Sequence, residues 1–236
     1  MHAQQNLFNV PSSDISPKAK PFFQQQFNIG EGLLQLNSTF SYGLGKNAEI
    51  GFNVTGLTIN EGSGRPFLLT NGNIQSPPVY PFYTINFQKA FELSPSFKLA
   101  VGTQTGFGEG GNFGMYDYLN LVTILPKHKS KIITGVYYGT DSFLGSEDRT
   151  LLFDGYTPIG FQIGLEQPII KEKLLLVMEN ISGLHNLGES TIGGAYYFTP
   201  RWVFSAGFQF SNPGSKTPEA LVIELTLVPS SKEVER

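Results

Sequence analysis

Three histidines limit the acid–base chemistry that this chain could perform. They are His2, His128 and His185. His185 lies in the segment 180–189, with Ser182, Asn180 and Asn186 nearby. A serine nucleophile needs an adjacent base that a third group holds in place, so a triad is conceivable here. The segment is a loop that contains glycine, however, and not a rigid strand. We therefore interpret His185 as a solvent-exposed loop residue and predict that the chain is not an enzyme.

Acidic residues cluster in another connection, at Asp141, Glu147, Asp148 and Asp154. Hard cations bind several oxygen ligands, but this spacing matches no known calcium loop. We interpret the cluster as an ordinary acidic surface loop. The glycine-rich run 106–111 does not lie between a strand and a helix, as a phosphate-binding loop must. The sequence therefore predicts no metal site and no cofactor.

A third set of polar residues lies inside segments that look like strands. Its members are Glu49, Lys98, Gln162, Glu166, Gln209 and Glu224, and Glu179 and Asp117 extend the pattern. Each is assigned to the polar face of its segment, and we predict that the first six face the lumen of a barrel. Two interpretations stay open: the charges form a constriction that selects solutes, or they pair and brace a narrow lumen. In the first case Glu49, Glu166 and Glu224 give a negative lumen that prefers cations, opposed mainly by Lys98.

These residues belong to segments in which apolar and polar side chains alternate. In the clearest segment, Trp202, Phe204 and Phe208 share one face, and Ser205 and Gln209 share the other. Strict alternation over eight or more residues indicates a strand whose two faces meet different environments. The pattern predicts about twelve strands, near 20–29, 34–42, 47–58, 80–92, 97–107, 113–125, 131–140, 157–167, 172–181, 190–198, 201–211 and 221–227.

The connections between the predicted strands alternate in length and in charge. Short turns, rich in Lys and Arg, cover 43–47, 93–96, 126–130, 168–173 and 199–201. Longer or glycine-rich loops, mostly acidic, cover 59–78, 108–112, 141–155, 182–189 and 211–218. Membrane barrels keep their turns in the periplasm and their loops outside, so we predict loops 59–78 and 141–155 outside and both chain ends in the periplasm. The predicted division is a flexible lead-in (1–19), one barrel (20–228) and a polar tail (229–236).

Composition favours a membrane barrel over a soluble one. Only 15% of the 236 residues are charged, whereas a soluble domain has about 25%. The polar strand faces carry mostly Gln, Asn, Thr, Ser and Gly, which suits a hydrated interior better than an outer surface in water. The alternative is a soluble sandwich or lipocalin-like barrel with a Phe-rich core. A net charge of −3 gives no basic footprint for nucleic acid, and the absence of cysteine excludes thiol chemistry.

Three segments resemble the strand–turn–strand units of Gram-negative outer-membrane barrels. They are Tyr42-Gly-Leu-Gly-Lys-Asn-Ala-Glu-Ile-Gly-Phe52, Leu93-Ser-Pro-Ser-Phe97 and Phe198-Thr-Pro-Arg-Trp202. The resemblance covers roughly 20–228 and is architectural, not tied to one family. It implies an all-β fold, a closed up-and-down antiparallel transmembrane β-barrel in the bacterial outer membrane, surrounded by outer-membrane lipid. One departure is that such barrels usually end on an aromatic residue, whereas this strand ends Leu225-Thr-Leu-Val-Pro229.

Three functions remain open at this point. The first, which we predict, is a narrow, porin-like passive channel for small solutes. The second is a non-transporting structural or partner-binding barrel of the envelope, with a filled lumen. The third is an outer-membrane hydrolase, because outer-membrane phospholipases resemble this chain in size. Neither the solute nor the oligomeric state follows from the sequence.

Overall fold

A computed structural model describes residues 6–60, 65–145, 158–215 and 217–229. In these residues, twelve long strands and one short strand form a single antiparallel sheet. The strands are β1 (Pro21–Gly30), β2 (Leu33–Gly45), β3 (Ala48–Asn60), β4 (Phe67–Leu69), β5 (Phe82–Ser94), β6 (Phe97–Gly108), β7 (Phe113–Leu125), β8 (Ser130–Gly139), β9 (Ile159–Ile170), β10 (Leu174–Ile181), β11 (Glu189–Tyr197), β12 (Trp202–Ser211) and β13 (Ala220–Leu227). Helical structure in the same residues is limited to a 3₁₀ turn, Glu109–Gly111, and α1 (Asp141–Leu144). Neither is long and apolar enough to cross a membrane.

The sheet closes on itself. Each long strand pairs with its neighbours along the chain, and β1 pairs with β13 from Phe23 opposite Leu227 to Ile29 opposite Leu221. The short strand β4 pairs only with the last residues of β3 and is not part of the ring. Closure leaves the wall without an edge, so its backbone groups pair within the chain. The predicted closed, all-β antiparallel barrel of about twelve strands is confirmed.

The two ends of the barrel differ in their connections. At the turn end, where the chain enters β1 and leaves β13, lie 46–47, 95–96, 126–129, 171–173 and 198–201. At the loop end lie 31–32, 61–81, 109–112, 140–158, 182–188 and 212–219. The sequence pattern missed the connection at Glu31 and Gly32. These residues form a two-residue turn with φ of 52° and 73°, the left-handed geometry of a tight hairpin. Connection lengths therefore do not alternate strictly.

The outer wall of the barrel is apolar. Phe208 and Leu225 are 40% and 38% exposed, whereas their neighbours Gln209 and Glu224 are 2% and 0% exposed. A soluble barrel has the opposite arrangement, with its apolar face inward. Exposed aromatic rings gather toward the loop end (Tyr83, Phe107, Phe113, Tyr138, Phe161, Phe210) and toward the turn end (Tyr42, Phe91, Phe97, Tyr196, Phe198, Phe204). Two such belts are typical of a wall that crosses a membrane.

Crowded aromatics in β7 and β8 obscured the two faces in the sequence. Tyr116, Tyr118 and Tyr137 point inward and are buried, whereas Tyr138 is exposed on the outer wall. Asp117, between the two inward tyrosines of β7, therefore lies on the outer face, opposite Thr103 and Tyr138. The assignment of Asp117 to the polar face of its strand is wrong.

Candidate functional site: the barrel lumen

The start of the chain occupies the lumen. Residues 6–16, which we call the plug, contact inner-wall side chains of strands all around the ring, including β1, β3, β5, β7, β8 and β10. Leu7, Phe8 and Val10 are at most 1% exposed. At the tip, residues 7–10 form a tight turn in which the N–H of Leu7 donates to the carbonyl of Val10 (2.9 Å). The sequence predicts a flexible lead-in over 1–19, and the structure places residues 6–16 of this segment inside the barrel.

One carboxylate of the wall binds the plug tip through the backbone. Glu179, on the inner face of β10, is 5% exposed. Its Oε2 accepts hydrogen bonds from the N–H groups of Phe8 (3.1 Å) and Val10 (2.9 Å), and its Oε1 accepts one from Asn9 (2.8 Å). Successive N–H groups of a turn form a concave site for an anion. A buried carboxylate is costly unless donors satisfy it, so the turn and Glu179 stabilise each other.

Glycines in the wall make room for the apolar side chains of the tip. A Cβ at Gly193 or Gly207, which pair across β11 and β12, would lie 2.8 Å from Cζ of Phe8. A Cβ at Gly164 in β9 would lie 2.7 Å from Cδ2 of Leu7. Contacts this short cannot form without a shift in the structure, because close-packed interiors have no spare volume. The wall is therefore complementary to this segment in shape as well as in charge.

Charged groups hold the other end of the plug. Nζ of Lys131 lies 2.7 Å from Oδ2 of Asp14 and 2.8 Å from Oε1 of Glu166. The N–H of Ser16 donates to Oε2 of Glu49 (2.8 Å). Sequence reasoning missed Lys131, which follows the basic turn 126–130. The alternation of side chains along the strand could have identified it, because Lys131 lies on the same inner face of β8 as Tyr137.

The structure places the six predicted lumen residues on the inner face, where they contact different partners. Glu49, Gln162, Gln209 and Glu224 are at most 5% exposed, and Glu166 binds Lys131. Lys98 is half-buried near the turn end, on the same face of β6 as buried Ala100. Glu224 lies opposite Gln26 and Ser205 in the sheet. Gln162 accepts a hydrogen bond from the Tyr116 hydroxyl (2.7 Å). The contacts of Glu49 and Glu166 favour bracing over an open charged constriction.

A cavity of about 470 Å³ lies between the plug tip and the loop-end connections. Asn6, Phe8 and Asn9 of the plug line it on one side. Amide side chains line its wall, namely Gln26, Asn28, Gln35, Asn37, Asn53, Gln104 and Gln209. Several bond to one another: Asn53 Nδ2 donates to Gln104 Oε1 (3.0 Å), and Asn28 Nδ2 donates to Gln209 Oε1 (3.3 Å).

Comparison with known proteins rests on structure alone. No family model matches the chain, and no curated protein matches its sequence. A solved structure of the NanC porin aligns with a TM-score of 0.57, 10% identity, and coverage of 89% of this chain and 99% of the porin. The structure of an outer-membrane channel from Pseudomonas putida F1 aligns with a TM-score of 0.51, 10% identity, and coverage of 92% and 97%. The chain has the porin fold. Its strand number and outer wall agree with the predicted resemblance to outer-membrane barrels.

In this porin-like barrel, His185 belongs to a network of hydrogen bonds that has a structural role. His185 is fully buried, so the prediction of a solvent-exposed loop residue is wrong. Its Nδ1 accepts a hydrogen bond from the N–H of Leu187 (3.1 Å), which leaves the proton of a neutral ring on Nε2, facing the Tyr137 hydroxyl. That hydroxyl donates to the carbonyl of Ser182 (2.6 Å), and Ser182 Oγ accepts from the N–H of Phe161 (2.7 Å). These bonds fix the loop 182–188 to β8 and β9.

The acidic loop is described only at its start. Asp141 is the first residue of α1, whereas Glu147, Asp148 and Asp154 lie outside the described residues. Within the described ranges, no group of three or more His, Asp or Glu side chains is arranged to hold a metal ion.

Proposed function

We propose that this barrel is a passive channel for small solutes in the bacterial outer membrane, with its loop end outside the cell. The observation that carries the proposal is the amide-lined cavity of about 470 Å³ between the plug tip and the loop-end connections. Its size is within the range of about 300–1,000 Å³ typical of sites for small molecules. The apolar outer wall and the two aromatic belts support placement in a bilayer.

Passage from the cavity to the turn end leads past the plug. Glu179 binds the plug tip, and Lys131 and Glu49 bind its other end. In the described residues these bonds hold the plug across the lumen, whereas large porins, which have 16–18 strands, have a water-filled lumen. The proposed channel is therefore narrow, and its conductance depends on movement of the plug.

Single-channel recording in a planar bilayer tests the proposal. The purified full-length protein should give small, discrete current steps in KCl, far below those of a wide porin. Correct insertion is checked separately by the heat-dependent gel mobility of a folded barrel. If the full-length protein is folded and inserted in the bilayer but passes no current, the channel function is contradicted.

The plug also favours the second candidate, a non-transporting barrel with a filled lumen. Under that hypothesis the contacts of Asp14, Lys131 and Glu166 serve only to brace the wall. Weakening the plug would then lower the thermal stability of the barrel and leave its conductance at zero. If the barrel is a channel, weakening the plug should instead increase its conductance.

A further inference from the structure

A large part of the cavity above the plug is lined by amide side chains. Its wall carries amides from adjacent strands, Gln26 and Asn28 of β1, Gln35 and Asn37 of β2, and Asn53 of β3. Each primary amide presents two N–H donors and one carbonyl acceptor. A hydroxyl group also donates and accepts. A surface of amides can therefore satisfy several hydroxyl groups at once, without any charge.

The charges around the cavity disfavour an anionic solute. Among the lining residues that the structure describes, Glu189 and Glu219 carry carboxylates, and no Lys or Arg is present. A carboxylate or phosphate would find none of the cationic donors that usually bind it. Glu189 is 2% exposed and accepts a hydrogen bond from Nδ2 of Asn9. Its negative charge is therefore partly screened from the cavity by the plug.

One wall amide beside the cavity has a buried acceptor without a hydrogen-bond partner among the described residues. Asn28 is 7% exposed, and its Nδ2 donates to Gln209 Oε1 (3.3 Å) and Gln35 Oε1 (3.5 Å). Its Oδ1 is buried and has no hydrogen-bond partner in the described residues. A buried acceptor without a partner is unfavourable. A hydroxyl donor in the cavity would supply the missing bond once a small rotation of the Asn28 side chain exposes its Oδ1.

Aromatic rings line another part of the same cavity. Phe8, Phe82, Tyr116 and Phe143 contribute to it, and the rings of Tyr116 and Phe143 stack at 5.7 Å. A pyranose ring is amphipathic, because its C–H groups form apolar patches and its hydroxyls project around the edge. Such a ring can pack an apolar patch on aromatic side chains while its hydroxyls reach the amides.

From these observations we infer that the cavity is a binding site for a neutral polyhydroxylated solute of the size of a mono- or disaccharide. The inference rests on the proposed channel function and names the class of solute that the channel admits. The amides supply matched donors and acceptors, the rings supply an apolar surface, and the lack of Lys and Arg among the described lining residues disfavours acidic relatives of the same solute.

Equilibrium binding to the purified full-length barrel in detergent tests the site without any need for conduction. Glucose and sucrose are the neutral probes, and glucuronate is the matched anion. Saturation-transfer NMR titrations should show binding of the neutral sugars and at least tenfold weaker binding of glucuronate. Gln35→Leu and Gln104→Leu each remove a lining amide and should weaken sucrose binding by about 2- to 10-fold, the value of one hydrogen bond.

Gln88→Leu is the matched control. Gln88 is also a buried inner-wall amide, but its partners are the Tyr118 hydroxyl and the carbonyl of Asp14, and neither Gln88 nor these partners line the cavity. Sucrose affinity of this variant should stay within twofold of the wild type, and heat-dependent gel mobility shows that each variant is folded. Absence of sugar binding to the folded wild type, equal binding of glucuronate, or no effect of Gln35→Leu and Gln104→Leu would overturn the inference.

Failure of the site and failure of the channel give different results. Ion current without sugar binding supports the channel function and contradicts the proposed sugar site. Sugar binding without ion current upholds the site and removes the channel.

Discussion

At the scale of single residues, Glu179 binds the plug tip mainly through the backbone of the tip. It binds the backbone N–H groups of residues 8, 9 and 10, which lie 169 to 171 positions away along the chain. Side-chain changes in the tip therefore leave these three bonds in place. Loss of the carboxylate would leave three N–H groups without their acceptor in a buried turn, which is unfavourable.

Glu179→Ala should increase the conductance of the barrel. A hydrogen bond to a charged group contributes about 1.5–3 kcal/mol. The loss of a single such bond should therefore increase the population of the state with a displaced plug about tenfold. Single-channel recordings should show longer or more frequent open steps. Met178→Ala is the control, because Met178 is the neighbouring residue on the outer wall. Unchanged open probability in Glu179→Ala would show that the plug is not the barrier.

Charge on the inner wall should make the channel prefer cations. Glu49, Glu166 and Glu224 lie on this wall, and Lys131 pairs with Glu166, so Glu49 and Glu224 supply the excess negative charge. A negative potential in a narrow lumen concentrates cations, and the effect fades as salt rises. Under a KCl gradient the reversal potential should indicate cation preference, and Glu224→Gln should move it toward zero. Lys98→Gln should move it the other way. Anion preference, or no response to Glu224→Gln, would contradict this expectation.

At the scale of elements, the wall strands were predictable and the plug was not. Alternation is a local signal, and in β12 it separates Phe208 from Gln209 without knowledge of any other strand. The plug has few apolar residues and no period, and its partners are remote in sequence. In the sequence, nothing distinguishes Gly164 and Gly193 from other strand glycines, because their contacts with Leu7 and Phe8 appear only in the folded structure. Alternation along each strand predicts that the amides of the cavity lie on polar faces. Which amides come into contact depends on the closure of the barrel between β1 and β13.

Adjacent substitutions in β12 should distinguish the two faces of the wall. Phe208 is 40% exposed on the outer wall, and Gln209 is 2% exposed on the inner wall beside the cavity. Arginine on the lipid-facing side costs about 2–4 kcal/mol near the middle of the membrane. Phe208→Arg should therefore reduce assembly of folded barrel in the outer membrane much more than Gln209→Arg. Equal loss from both variants would indicate a soluble core in place of a lipid-facing wall.

At the scale of the whole molecule, closure turns separate polar strands into one compartment. Strands β1–β3 supply most of the amides, the far end of the chain supplies Gln209, and the loop 61–81 adds Tyr80 at the loop end. The plug reaches the same compartment from the turn end, where it joins β1. The cavity and the plug thus lie in series along the barrel axis, and a solute that enters from the loop end meets the amides before the plug.

The orientation of this series in the membrane is open to a direct test. The chain contains no cysteine, so a single introduced cysteine reports one position alone. Gln75 is exposed in the long connection at the loop end, and Lys127 is exposed in a short basic turn at the opposite end. Membrane barrels place long loops outside and short turns in the periplasm. A membrane-impermeant maleimide added to intact cells should therefore label Gln75→Cys and spare Lys127→Cys, and both should react once the cells are lysed. Labelling of Lys127→Cys alone in intact cells would reverse the orientation and place the plug entrance, not the amide-lined cavity, at the cell surface.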